Sequence, residues 1–151
     1  MRIQVLDEDL YEREINAGGF TGKYPGDAGI DLRSRVDMEI YSGNTAKVPL
    51  GLAVDIPLGY VGWLTGRSAT SLEFGLFTHE GKIDSGYRGE IHAFLTAQGS
   101  KVRIVRGERV CQLVVVAILS PEFGSDHGWP IVDDLGSSQR GKMGLGSTGK
   151  T

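Results

Sequence analysis

Ala46-Lys47-Val48-Pro49-Leu50-Gly51-Leu52-Ala53-Val54-Asp55-Ile56-Pro57-Leu58-Gly59 reads as two short strands and the turn that ends the second. Apolar side chains fall at Ala46, Val48 and Leu50, and again at Leu52, Val54 and Ile56. A period of two sends one face of an extended chain into a core and the other to water. Pro57-Leu58-Gly59 supplies turn chemistry. Ile91, Ala93 and Leu95 repeat the alternation, and Gly99-Ser100 and Arg106-Gly107-Glu108 punctuate it. Leu113 to Leu119 is wholly apolar and rich in β-branched residues, with Pro121 beyond it, so it is expected as a strand covered on both faces. One helix is expected, Ser68 to Phe74, with Ser68 capping its start. Many short, evenly spaced strands predict an all-β barrel or sandwich.

The chain of 151 residues suits one such domain. Its 23 glycines are about twice the ordinary ~7% share, as turn-rich architecture or close backbone approach to a ligand requires. Net charge is −3 and the sequence pI about 5.6. A nucleic-acid polymer partner calls for a basic domain with pI above ~9 and is not expected; a local basic site for a small anion is compatible. Cys111 is the one cysteine, which excludes an intrachain disulfide and agrees with a reducing compartment. Among Val110, Gln112 and Leu113 it reads as a packing residue. No apolar run approaches the ~20 residues of a membrane span, and Met1-Arg2-Ile3-Gln4-Val5 has no secretory pattern. A soluble cytoplasmic protein without membrane partners is expected.

Residues 1–135 are read as the β domain and 136–151 as a flexible arm. The arm has five glycines, and Met143 and Leu145 are its only apolar side chains, so it cannot order itself by burial and must find order on a ligand or partner. Gly144-Leu145-Gly146-Ser147-Thr148-Gly149-Lys150-Thr151 satisfies the Walker pattern letter for letter. A Walker loop opens a helix, and none can follow Thr151, so an ATPase or GTPase is disfavoured.

Five segments carry chemistry: Asp27 to Leu32, Gly66 to Thr70, Gly81 to Glu90, Arg106 to Leu113 and Arg140 to Gly149. Arginine or serine beside glycine in the second and fifth suits phosphate, through backbone N–H groups and a guanidinium fork. Asp31 and Asp84 supply carboxylates able to hold a metal–water network or to take a proton. Tyr87, between Gly86 and Arg88, offers a flat face for a sugar or base. Plainer readings stand beside these. Asp31 fits a turn or cap, Asp84 the first position of a β-turn, and Arg140 a solvated tail charge. Trp63 and Trp129 read as packing residues, and His79, His92 and His127 lack zinc-ligand spacing.

In order and spacing the five segments resemble the trimeric dUTPase family, over Asp27 to Gly149. The resemblance implies a distorted jelly-roll (β-clip barrel) subunit in a homotrimer with shared active sites, each closed by a mobile C-terminal arm. It implies hydrolysis of dUTP to dUMP and pyrophosphate, with Asp84 as general base for the water attacking the α-phosphorus. Tyr87 is then expected to pack on the deoxyribose and exclude a 2′-hydroxyl. Gly81 and Ile83 belong to the hairpin that reads uracil. Arg67, Ser68, Ala69 and Gln112 are expected on the phosphates, with Arg140 clamping the γ-phosphate and Gly146, Ser147 and Thr148 adding donors. Asp31 orders waters and charge around Mg2+, which the phosphates and water hold without direct protein ligands. Two departures stand out. Leu145 replaces the aromatic residue that caps uracil in relatives, and Thr78-His79-Glu80 stands where they often carry an asparagine.

The related dCTP deaminase family shares an Ile-Asp-x-Gly-aromatic segment but is expected to place a catalytic glutamate about ten residues on. Phe94 occupies that position, and no acid lies between Glu90 and Glu108. A nucleotide-sensing regulatory protein is the other alternative, with Phe123 to Asp133 as the candidate surface for a regulatory protein partner.

Overall fold

A computed structural model describes residues 1–119, 129 and 131–138. The chain divides into a compact unit over Met1–Leu119 and a second over Ser120–Thr151. The first is built from strands β1 (Arg2–Val5), β2 (Gly29–Arg33), β3 (Met38–Ile40), β4 (Thr45–Pro49), β5 (Leu52–Asp55), β6 (Tyr60–Thr65), β7 (Leu76–His79), β8 (Gly81–Ile83), β9 (His92–Ala97), β10 (Val102–Ile104) and β11 (Arg109–Ala117). Two short helices, α1 (Glu12–Asn16) and α2 (Ser68–Leu72), join them. The strands form four small sheets, in the orders β1-β5, β10-β3, β2-β11-β6-β8 and β4-β9-β7. Every strand pair is antiparallel. The architecture is all-β, as the alternation predicts, and is the jelly roll that the family resemblance implies.

The opening stretch behaves as its period dictates. Val48, Leu50, Leu52, Val54 and Ile56 are buried, as are Ile91, Ala93 and Leu95. Burying one such side chain contributes about 1.5–3 kcal/mol, except for the smaller alanine. Gly59 in the turn that follows has φ +82°, a left-handed value that glycine adopts without steric cost. Tyr11 anchors the N-terminal helix. Its ring is fully buried, and its hydroxyl donates to the Leu50 carbonyl at 2.8 Å and accepts from the Arg33 amide at 3.1 Å. Burial pushes that phenol well above its ordinary pKa. The Arg33 guanidinium stands 5.5 Å from the Tyr11 ring centre and holds Glu14 through two bonds of 2.8 and 2.9 Å.

The central strand β11 departs from expectation. Leu113 is buried, but Val114, Val115 and Val116 are half-buried and Leu119 is 83% exposed. β2 and β6 flank the strand, while the core covers one of its faces. An apolar run says that a strand prefers cover, not that both faces have it. β11 also carries a bulge: Arg109 pairs with Arg33 and Cys111 with Leu32, leaving Val110 as the extra residue.

The expected helix exists but is shorter, and Ser68 does not cap it. Arg67 occupies the cap position with extended backbone (φ −96°, ψ 148°) and makes no side-chain capping bond, while Ser68 is already helical. The five-residue α1 went unforeseen because so short a segment has no apolar period to read. In the second unit, Trp129 and residues 131–138 include no helix or strand, and Trp129 is 61% exposed, so the packing role expected of it is not seen among the described residues. No helix among the described residues is long and apolar enough to cross a membrane.

Candidate active site

Two groups of side chains emerge from the sheet β2-β11-β6-β8. The first follows from register. Gln112 of β11 lies opposite Asp31 of β2 on one side and Thr65 of β6 on the other. β6 then runs into α2, which brings Arg67, Ser68 and Ala69 to the same end of the sheet. Arg67 Nε donates to Asp31 Oδ1 at 2.8 Å, and its Nη1 donates to the Arg109 carbonyl at 3.1 Å. Arg109 Nη1 donates to Asp31 Oδ2 at 3.2 Å. Both carboxylate oxygens are therefore engaged, one by each guanidinium, and among the described residues Arg67 Nη2 and Arg109 Nε and Nη2 remain to meet an anion. Asp31 is neither a turn nor a cap residue; it is the mid-strand counter-ion of this pair. Gln112 Nε2 donates to the Gly66 carbonyl at 3.0 Å, which fixes the side chain against the loop that carries Arg67. Arg67, Ala69, Thr70, Arg103 and Arg109 line a cleft of about 320 Å³. Cys111 behind it is fully buried, and burial foremost, with the nearby Asp31 charge, pushes its thiol pKa far up. It is a packing residue.

The second group is the β8 turn. Leu64–Gly81 and Gly62–Ile83 pairing holds β8 against β6. The Tyr87 amide then donates to the Asp84 carbonyl at 3.1 Å, so Asp84 does occupy the first position of a turn. That placement leaves its side chain exposed, and among the described residues the carboxylate accepts no side-chain hydrogen bond or ion pair. Tyr87 is 44% exposed, and its hydroxyl donates to the Glu90 carbonyl at 2.9 Å. Gly81, Ile83, Asp84, Tyr87, Glu90 and Phe94 line a cleft of about 290 Å³. It shares no lining residue with the first.

Reading the sequence missed several residues. Arg109 lies in a quoted segment, but only the folded register brings it to Asp31. His79 and His92 looked scattered, yet both line the second cleft. His79 Nε2 is hydrogen-bonded to Thr96 Oγ1 at 2.7 Å, and its ring meets Phe77 edge-on at 5.1 Å. The pairing of β7 with β9, predictable only once the sheet is known, explains that contact. Trp63 is half-buried with Lys82 Nζ 4.6 Å from its ring centre, as a packing residue. Arg140, Leu145, Gly146, Ser147, Thr148 and the Walker-like ending lie outside the described residues, as does most of Phe123 to Asp133.

Fold and site together define a jelly-roll protein with one guanidinium-lined cleft and one carboxylate-bearing cleft. The dUTPase family model matches residues 16–149, and the chain belongs to the dUTPase family. A deoxyuridine 5'-triphosphate nucleotidohydrolase of Cutibacterium acnes is 41% identical over 129 residues, 83% of this chain and 81% of that relative. One from Anaeromyxobacter is 38% identical over 83% of each chain. Among solved structures, the dUTPase of Staphylococcus bacteriophage 80alpha with dUpNHpp has a TM-score of 0.80 at 29% identity, covering 98% of this chain and 97% of that one. A variant dUTPase from phage phi11 of S. aureus, described with a coordinated structural Mg(II) ion, has a TM-score of 0.74 at 25% identity and covers 90% of this chain and 98% of that one.

Proposed function

We propose that this protein hydrolyses dUTP to dUMP and pyrophosphate, with Asp84 as the general base. The observation that carries the reading is the Asp84 carboxylate itself, exposed in a cleft beside Tyr87 and free of side-chain partners among the described residues. Relatives named as deoxyuridine 5'-triphosphate nucleotidohydrolases supply the substrate. Asp84 takes a proton from water as the water oxygen bonds to the α-phosphorus, and the bond from that phosphorus to the bridging oxygen breaks. Pyrophosphate leaves with the electron pair. A positioned base of this kind contributes roughly 10²–10⁴-fold.

Tyr87 lies along the deoxyribose and rejects a 2′-hydroxyl, and the backbone of Gly81 to Ile83 reads uracil. Arg67, Ser68, Ala69 and Gln112 meet the phosphates. The separation of the two clefts within one subunit supports a site completed between subunits of a homotrimer, with residues 136–151 closing over it through Arg140, Leu145, Gly146, Ser147 and Thr148. The donor set suits a hydrated magnesium ion held by substrate phosphates, because both Asp31 oxygens are already bound by arginines. When bound, Mg2+ spreads charge over the phosphate oxygens.

The test is product analysis with dUTP, UTP, dTTP and dCTP, with and without Mg2+. Pyrophosphate from dUTP alone, dependent on Mg2+ and lowered at least ~10²-fold by Asp84→Asn, is expected. Parental turnover by Asp84→Asn would remove the base assignment, and ammonia release from dCTP would replace the hydrolase reading with deamination.

A further inference from the structure

We infer that Glu90 is a positioning residue that sets the sugar selectivity of Tyr87. The inference rests on the proposed contact between Tyr87 and the deoxyribose and assigns a cause to its precision. A tyrosine on a turn, 44% exposed, has no packed pocket to fix its ring. Discriminating against one hydroxyl group nevertheless demands a ring that does not yield.

Three features supply that rigidity. The Tyr87 hydroxyl donates to the Glu90 carbonyl at 2.9 Å, closing the loop from Tyr87 to Glu90 back onto its own chain. His92 Nδ1 lies 3.0 Å from the same carbonyl. Gly89 forms the floor beneath the ring, because a Cβ there would stand 2.5 Å from the Tyr87 hydroxyl oxygen and 2.7 Å from Cζ. The clasp is only as firm as the Glu90 backbone, and that backbone is held from outside the loop. Glu90 Oε1 accepts from the Gly51 amide at 2.9 Å and from Arg35 Nη1 at 3.4 Å. Ile91, next in the chain, exchanges backbone bonds with Leu50 and Leu52 at 3.1 and 2.9 Å. Arg35 Nε is itself held by Asp7 at 3.0 Å, and Asp7 also binds Arg106 at 2.7 and 2.8 Å. The glutamate thus ties the sugar-facing turn to the Leu50–Leu52 turn and to an ion-pair network remote from the chemistry.

A half-buried glutamate that only stabilised the fold would act on all substrates alike. A positioning glutamate changes the ratio of kcat/KM for dUTP to that for UTP. We expect Glu90→Ala to lower that ratio roughly tenfold, about the value of one well-formed hydrogen bond to a charged group. Tyr87→Phe, which keeps the ring and the fold but removes the hydroxyl, should lower it by a similar factor. The double variant should be no worse than either single one, since both act through one bond. Glu90→Gln, whose amide oxygen still accepts from Gly51, should restore most of the ratio.

Tyr87→Ala separates the two layers of the argument. If it leaves the ratio unchanged, the sugar contact itself is wrong and the role of Glu90 falls with it. If it collapses the ratio while Glu90→Ala, soluble and melting normally, preserves it, the sugar contact stands and the inference is overturned. Should Glu90→Ala fail to fold, full discrimination by Tyr87→Phe overturns the inference alone.

Discussion

Replacing Gly29 with alanine tests whether strand spacing in the central sheet sets both stability and site geometry. A Cβ at this position would lie 2.7 Å from the Leu113 carbonyl oxygen and 2.9 Å from Val114 Cγ2. The valine methyl can turn aside, but the carbonyl belongs to the ladder between β2 and β11 and cannot. Reaching an ordinary contact of 3.4 Å requires the strands to part by about 0.7 Å. Overpacking of this kind costs about 1–3 kcal/mol. At roughly 2–4 °C per kcal/mol for a chain of this size, melting should fall by about 5 °C. The displacement also carries Asp31, two residues along β2, away from Gln112 and Arg109 on β11. The Arg109–Asp31 bond, now at 3.2 Å, then lengthens past hydrogen-bonding range. Misplacement approaching 1 Å costs up to ~10²-fold in rate. Thermal melting and kcat/KM for dUTP measure the two effects on one sample. Parental values for both would show that β2 and β11 tolerate the extra width and that Asp31 does not depend on it.

Tyr11→Phe leaves the Leu50 carbonyl and Arg33 amide without their buried partner; denaturation should show a loss of about 1–3 kcal/mol, and none would mean water replaces the hydroxyl. Asp7 responds to acid. Hydrogen bonding from Arg106 foremost, then from Arg35, holds its carboxyl well below its ordinary value of 3.8. Its folded pKa is depressed, so its contribution is complete above that value and lost as pH falls below it. Asp7→Asn should therefore flatten stability between about pH 4 and pH 2, as chemical denaturation across that range would reveal. Cys111 should resist alkylation in the folded protein at about pH 8, where an exposed thiol is partly ionised, and react on unfolding; rapid labelling of native protein would contradict its burial.

Much of the fold was legible because alternation is a geometric property of extended chains. Val48, Leu50, Leu52, Val54 and Ile56 went where their spacing sends them. β11 was legible as a strand and not as a half-covered one, since cover depends on what else packs nearby. The helix at Ser68 was placed correctly but capped wrongly, because which residue first turns helical is decided by the chain leaving β6. In the site, motif order exposed Asp31, Arg67, Asp84 and Tyr87. The partners that hold them could not be read, because Arg109, Glu90 and Gly51 become neighbours only through strand register. Arg35, 55 residues from Glu90 in the chain, is the extreme case.

The extra residue in β11 has a consequence for how this site tolerates change. Val110 and Cys111 are adjacent yet both buried, which a regular strand forbids. The irregularity lets Arg109 return to the side of the sheet that carries Asp31. Were the strand regular through the same residues, Val110 would turn toward the carboxylate and Arg109 into the apolar interior. The bulge at that point is as much a part of the guanidinium-lined cleft as the chemistry of its side chains.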